Sequence, residues 1–143
     1  MPARTTAVLE RIVNDPLCPM CARLSSGALL AESKHSVAFL DAFPLNPGHA
    51  LIVPRRHIAD LYLLGPDEQA DIWQLVAETR RILDAKFAPA GFNVGLNVGE
   101  AAGQTVPHAH VHVITRYTGD VPDPRGGVRW VIPARARYWK DTA

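Results

Sequence analysis

Three histidines, His108, His110 and His112, fall within one short run and make up half of the six in this 143-residue chain. Imidazole has a reference pKa of about 6.5, so near pH 7 it is mostly neutral and free to act as nucleophile, proton carrier or metal ligand. In a β-strand alternate residues share a face, so the run predicts three imidazoles projecting together while Ala109, Val111 and Val113 turn to a core. One zinc ion held by all three does not fit that spacing. At about 3.3 Å per residue the outer two lie about 13 Å apart, and Zn–N bonds are only about 2.0–2.1 Å. At least one histidine is left for other chemistry, and a neutral imidazole suits nucleophilic attack.

The segment before the run supplies partners for an anion. Asn97, Gln104 and Thr105 carry amide and hydroxyl donors, and Gly99 and Gly103 let backbone N–H groups approach closely. Neither G-x-x-x-x-G-K-[ST] nor G-x-G-x-x-G occurs, so no P-loop and no dinucleotide fold is implied. A second cluster, Cys18-Pro19-Met20-Cys21, is two thiols at a spacing used by both metal sites and redox pairs. Thioredoxin-type pairs open a helix after a strand. This pair runs within six residues into Ser25-Ser26-Gly27, which favours metal over redox chemistry.

The elements that must position these groups are legible in the pattern. Ile72, Leu75, Val76, Thr79, Ile82, Leu83 and Phe87 recur at the helical period, Pro66, Asp67 and Glu68 suit a first turn, and Pro89 and Gly91 follow the end. The spacing predicts one long helix from Pro66 to Phe87. Short β-rich stretches at 28–32, 37–41, 50–54, 92–98 and 108–115 predict five strands. The first two and the last two are joined by connections too short for a crossover helix, so the fold class is α+β with an antiparallel sheet.

Composition bounds the rest. The formal charge is +1 and 48% of the residues are apolar, which speaks against a polybasic nucleic-acid binder and for a core of useful size. The start carries Arg4, Glu10 and Arg11 where a signal peptide needs an apolar stretch, and no apolar run approaches the ~18 residues of a membrane span. A cytoplasmic protein with no nucleic-acid or membrane partner is expected. Residues 116–143 hold 6 of the 15 basic side chains but 3 of the 14 acidic ones. With no linker or repeat, the chain reads as one domain, 1–143, with an irregular basic C-terminal arm from about residue 116. Arg125 and Arg129 of that arm are candidates to hold the distal phosphates of a long anionic substrate.

The run Gly103-Gln104-Thr105-Val106-Pro107-His108-Ala109-His110-Val111-His112-Val113-Ile114 resembles the signature of the histidine triad family. Asn46-Pro47-Gly48-His49-Ala50-Leu51-Ile52-Val53-Pro54-Arg55-Arg56-His57 is similar to that family's second conserved stretch, and the likeness covers roughly residues 16–118. The resemblance implies a nucleotide hydrolase or transferase, normally homodimeric, on a five-stranded antiparallel sheet with a long helix and a short one. Carried over residue by residue, it makes His110 the nucleophile at the α-phosphorus, His112 a phosphate contact and His49 an orienting partner. It assigns Asp41 to the ribose hydroxyls, and Asn97, Gly103, Gln104 and Thr105 to the substrate pocket. It also implies a structural zinc on Cys18, Cys21, His57 and His108, as in several bacterial members, which would leave His110 unligated. Thr105 stands where some relatives have serine, and Pro107 removes a backbone donor before the triad. The run Ala101-Ala102-Gly103-Gln104-Thr105-Val106 resembles the fragile histidine triad branch, dinucleoside polyphosphate hydrolases acting on Ap4A-like substrates. Phosphoramidate or adenylate hydrolysis on the same scaffold, and nucleotide binding without catalysis, are the competing readings.

Overall fold

The computed structural model describes residues 15–141; the charged start with Arg4, Glu10 and Arg11 lies outside the described residues. Five antiparallel strands form one sheet in the order β1-β2-β3-β5-β4: β1 Ala31–Glu32, β2 Ser36–Leu40, β3 Ala50–Pro54, β4 Gly91–Gly95 and β5 Val111–Arg116. Among the described residues three α-helices accompany it, α1 Pro19–Ser26, α2 Pro66–Phe87 and α3 Pro133–Ala136. The α+β class, the antiparallel sheet and the long helix are as the sequence predicts. No helix among the described residues is long and apolar enough to cross a membrane.

The central strand explains the layering. Every residue of β3 is buried, because its two faces serve two apolar clusters. Ala50 and Ile52 join Ala38, Val111 and Val113 under the Ile72, Leu75 and Leu83 stripe of α2. Leu51 and Val53 pack instead with Val37, Phe39, Met20 and the two cysteines on the opposite face. Pro66 opens α2, Glu68 accepts from the Gly65 N–H at 3.4 Å, and Ala88 closes it in the left-handed region at φ 47°. The register sets Leu51 opposite His112 on one side and Gly95 opposite His112 on the other, so His112 projects from the face away from α2.

Three details differ from the sequence reading. The strand expected at 108–115 joins the ladder only at Val111, because the Ala109 N–H donates to Ile58 O at 2.6 Å instead of to a neighbouring strand. The alternation survives, with Ala109, Val111 and Val113 all buried. The Cys18-Cys21 pair does open a helix: Cys18 is the N-cap of α1 and Pro19 its first residue. No strand precedes it among the described residues. Finally, the arm is not irregular throughout, since it contains a 3-10 helix, Gly127–Val131, and α3.

Candidate functional site

At one end of the triad, four metal-capable side chains converge. His108 Nδ1 lies 3.5 Å from both Cys18 Sγ and Cys21 Sγ, and His57 Nδ1 lies 3.4 Å from Cys21 Sγ. Tetrahedral zinc with Zn–S of about 2.3 Å and Zn–N of about 2.0–2.1 Å has S···N edges of about 3.5 Å, so the donor set is spaced as such an ion requires. His108 Nε2 is 2.9 Å from Pro54 O. A carbonyl can only accept, so the ring proton sits on Nε2 and the Nδ1 lone pair points at the sulfurs. Burial holds this ring neutral, its pKa pushed down to about 4, against the opposing bond to Pro54, and neutral imidazole is the form that binds metal. Burial also raises the Cys21 thiol; both cysteines are free. These residues form a possible Cys/His metal site.

The backbone of the same residue positions the next histidine. His110 Nδ1 donates to His108 O at 2.8 Å, which leaves the lone pair of its neutral form on Nε2. His112 follows, its ring centroid 5.1 Å from that of His110 in an edge-on arrangement. Its own tautomer is set from outside the triad. The Leu45 N–H donates to His49 Nδ1 at 3.0 Å, so His49 carries its proton on Nε2 and donates it to His112 Nδ1 at 2.9 Å. His112 therefore holds its proton on Nε2 as a donor. Burial first, then neighbouring His110 and His49, lowers its pKa to about 4, and burial lowers His49 as well, opposed by Asp41. Asp41 Oδ2 lies 3.5 Å from His49 Nε2, and its other oxygen accepts from the Phe43 N–H at 2.9 Å.

The loop carrying Leu45 and His49 is held to β5. Asn46 Nδ2 donates to Thr115 O and to Asp120, while Thr115 Oγ1 and Tyr117 OH both donate to Pro47 O. Gly48 turns at φ 96°, where a Cβ would meet the Phe87 ring at 2.9 Å, so only glycine brings His49 under the sheet at this point.

A cleft of ≈ 560 Å³ opens beside these groups. Asp41, His49, His112 and Asn97 line it, together with apolar residues that the sequence reading did not single out: Phe43, Leu45, Leu96, Val128 and Val131. The sequence signal for Phe43 and Leu45 is their place between Asp41 and the Asn46-Pro47-Gly48-His49 stretch. Gly103, Gln104 and Thr105 are not on its wall. The Gln104 amide is engaged locally, donating to Ala59 O and Val106 O and accepting from the Gly99 N–H. It staples the loop before the triad, and Thr105 at its side is exposed. The arm arginines are engaged too. Arg125 pairs with Asp123 at 2.9 Å and lies over the Trp139 ring, and Arg129 donates to Ala136 O and Arg135 O. Neither guanidinium lines the cleft, so the structure gives the distal-phosphate expectation no support.

Comparison with known proteins adds four findings. The HIT domain family matches residues 24–119. An asymmetrical bis(5'-nucleosyl)-tetraphosphatase of Schizosaccharomyces pombe is 39% identical over 89 residues, 62% of this chain and 49% of that protein, so the chain spans about half of that relative's length. An adenosine 5'-monophosphoramidase of the same yeast is 39% identical over 87 residues, 61% of this chain and 62% of that one. Among solved structures, a zinc-bound histidine triad family protein from Mycobacterium smegmatis matches with a TM-score of 0.66 and 30% identity, over 82% of this chain and 92% of that chain.

Proposed function

The chain belongs to the HIT domain family, and from that membership we propose that it hydrolyses dinucleoside polyphosphates at the α-phosphorus through a nucleotide bound covalently to His110. The observation that carries the reading is the 2.8 Å bond from His110 Nδ1 to His108 O. It leaves the Nε2 lone pair available as the nucleophile. In the first step Nε2 forms a bond to phosphorus, the bond to the bridging oxygen breaks, and the electron pair leaves with the departing polyphosphate. Water then attacks the same phosphorus, the N–P bond breaks with its electron pair returning to Nε2, the surplus proton of the water passes to solvent, and a nucleoside monophosphate is released with neutral His110 restored.

The other residues act on charge and position. His112 Nε2–H donates to a non-bridging α-phosphate oxygen, and His49 keeps that proton in place. Asp41 accepts from the ribose hydroxyls, with Asn97 beside it, and the Gly103, Gln104, Thr105 loop stands at the leaving-group end, Thr105 offering its exposed hydroxyl. Zinc is the proposed occupant of Cys18, Cys21, His57 and His108. It would supply structural closure there, tying α1 to the triad, and takes no part in the phosphorus chemistry. The free thiols suit a reducing, cytoplasmic setting, and the active form is proposed to be a homodimer, as family membership implies.

A phosphoramidate bond is the second reading, favoured by the likeness to the yeast monophosphoramidase. A substrate panel separates the two: faster kcat/KM on a dinucleoside tetraphosphate than on adenosine 5'-phosphoramidate supports the first, and the reverse order replaces it with the second. Retained AMP binding with no turnover of either would leave a nucleotide-binding module.

A further inference from the structure

From residue 120 onward the C-terminal arm lies beyond the family match, which ends at residue 119, yet its 3-10 helix places Gly127, Val128 and Val131 on the cleft wall. Four large apolar side chains stand open to solvent around that end of the cleft: Phe43 at 87%, Leu45 at 72%, Val128 at 63% and Val131 at 80% exposure. Singly such residues need no explanation, but four converging beside a polar site form a surface that a ligand would cover. The polar end, Asp41, His49 and His112, is continuous with it.

The arm is held in this place by its own side chains. Gly126 and Gly127 turn at φ 92° and 47°, and a Cβ on Gly126 would meet the Trp139 ring at 3.2 Å, one on Gly127 the Asn93 amide at 3.3 Å. Trp130 Nε1 donates to Arg125 O at 2.8 Å. The arginines considered above for phosphate thus serve as latches, closing the arm on itself and leaving its valines at the cleft.

We infer that this arm forms the base-side wall of its own chain's nucleotide site, with Val128 and Val131 joining Phe43 and Leu45 in an apolar slot for a nucleobase. The inference rests on the nucleotide reading given above. Asn93, on the cleft wall, has its carbonyl oxygen occupied by Arg116 at 2.6 Å, and its amide stands 3.3 Å from where a Cβ on Gly127 would lie. The slot therefore selects by buried apolar area and favours a purine over the smaller pyrimidine.

The test compares AMP with ribose 5-phosphate by titration calorimetry, on the intact chain and on a V128S/V131S variant. Loss of the valine contacts weakens AMP by about tenfold and leaves ribose 5-phosphate unchanged. A second variant, Gly126→Ala, lies away from the cleft and disturbs the seat of the arm against Trp139; it produces the same selective loss. Equal AMP affinity in all three proteins, where the native chain binds AMP more tightly than ribose 5-phosphate, overturns the arm's role while leaving the nucleotide reading intact. A native chain that binds neither ligand overturns the nucleotide reading and the slot with it.

Discussion

His49 Nε2 lies 2.9 Å from His112 Nδ1, and because the Leu45 N–H occupies the other nitrogen of His49, one backbone amide sets the protonation of two rings in series. The tautomer of His112 is thus decided by the loop before β3, His49 being 63 residues away in the chain. Family membership accounts for the presence of these histidines, and the bond geometry accounts for which of their nitrogens carries a proton.

Replacing His49 with alanine removes the donor that fixes His112. The account expects kcat to fall about tenfold to a hundredfold, the loss of roughly 1–3 kcal/mol for an unpartnered polar contact at the transition state. KM for the nucleotide moves less, since the base contacts are untouched and the ribose is affected only through the 3.5 Å contact of His49 with Asp41. Steady-state kinetics of His49→Ala on the preferred substrate checks this, and a change confined to KM would count against the orienting role.

Stability should depend on pH through His112. In the unfolded chain this ring takes up a proton near its ordinary value of about 6.5, whereas in the folded chain it does so only near 4. Between those values the unfolded state binds more protons, so its contribution is present above about 6.5 and is lost as the pH falls toward 4. His49, also lowered, adds in the same direction. Urea unfolding between pH 7 and 4.5 should give a shallower loss of stability for His112→Asn than for the native chain; parallel curves would show that the ring titrates freely.

For the Cys/His cluster, native mass spectrometry is expected to find one zinc per chain. Cys18→Ser should abolish it and lower Tm by roughly 10 °C, because a ligand bound by the folded state alone stabilises it by mass action. A native mass equal to the bare polypeptide would remove zinc from the account.

The sequence carried the parts of this fold that local patterns dictate. The apolar stripe of α2 and the alternation of Val111 and Val113 with His110 and His112 follow from periods of 3.6 and 2. The three histidines part company for reasons no local pattern carries: His108, ahead of the strand, turns to the two cysteines and His112, within it, to His49. What stayed hidden depends on distant partners. Ala109 leaves the ladder for Ile58 O, far back in the chain, and nothing near Ala109 announces it. The helix opened by Cys18 was legible, because Pro at a first helical position is a start signal, but the Ser25-Ser26-Gly27 run obscured it. Gln104 reads as a phosphate donor by type, whereas its amide is held by Ala59, Val106 and Gly99. The arm's basic residues suggested anion binding, and only the folded position of Trp130, Trp139 and Asp123 reveals them as latches.

Rapid quenching tests the proposed covalent step at His110. The chain is mixed with a dinucleoside tetraphosphate labelled at the α-phosphorus, stopped in base to preserve an acid-labile N–P bond, and digested for peptide mapping. Label is expected on the peptide containing His110, formed within the first turnover, released by acid, and missing together with turnover in His110→Asn. Turnover without bound label, or a His110→Asn chain as active as the native one, would contradict it.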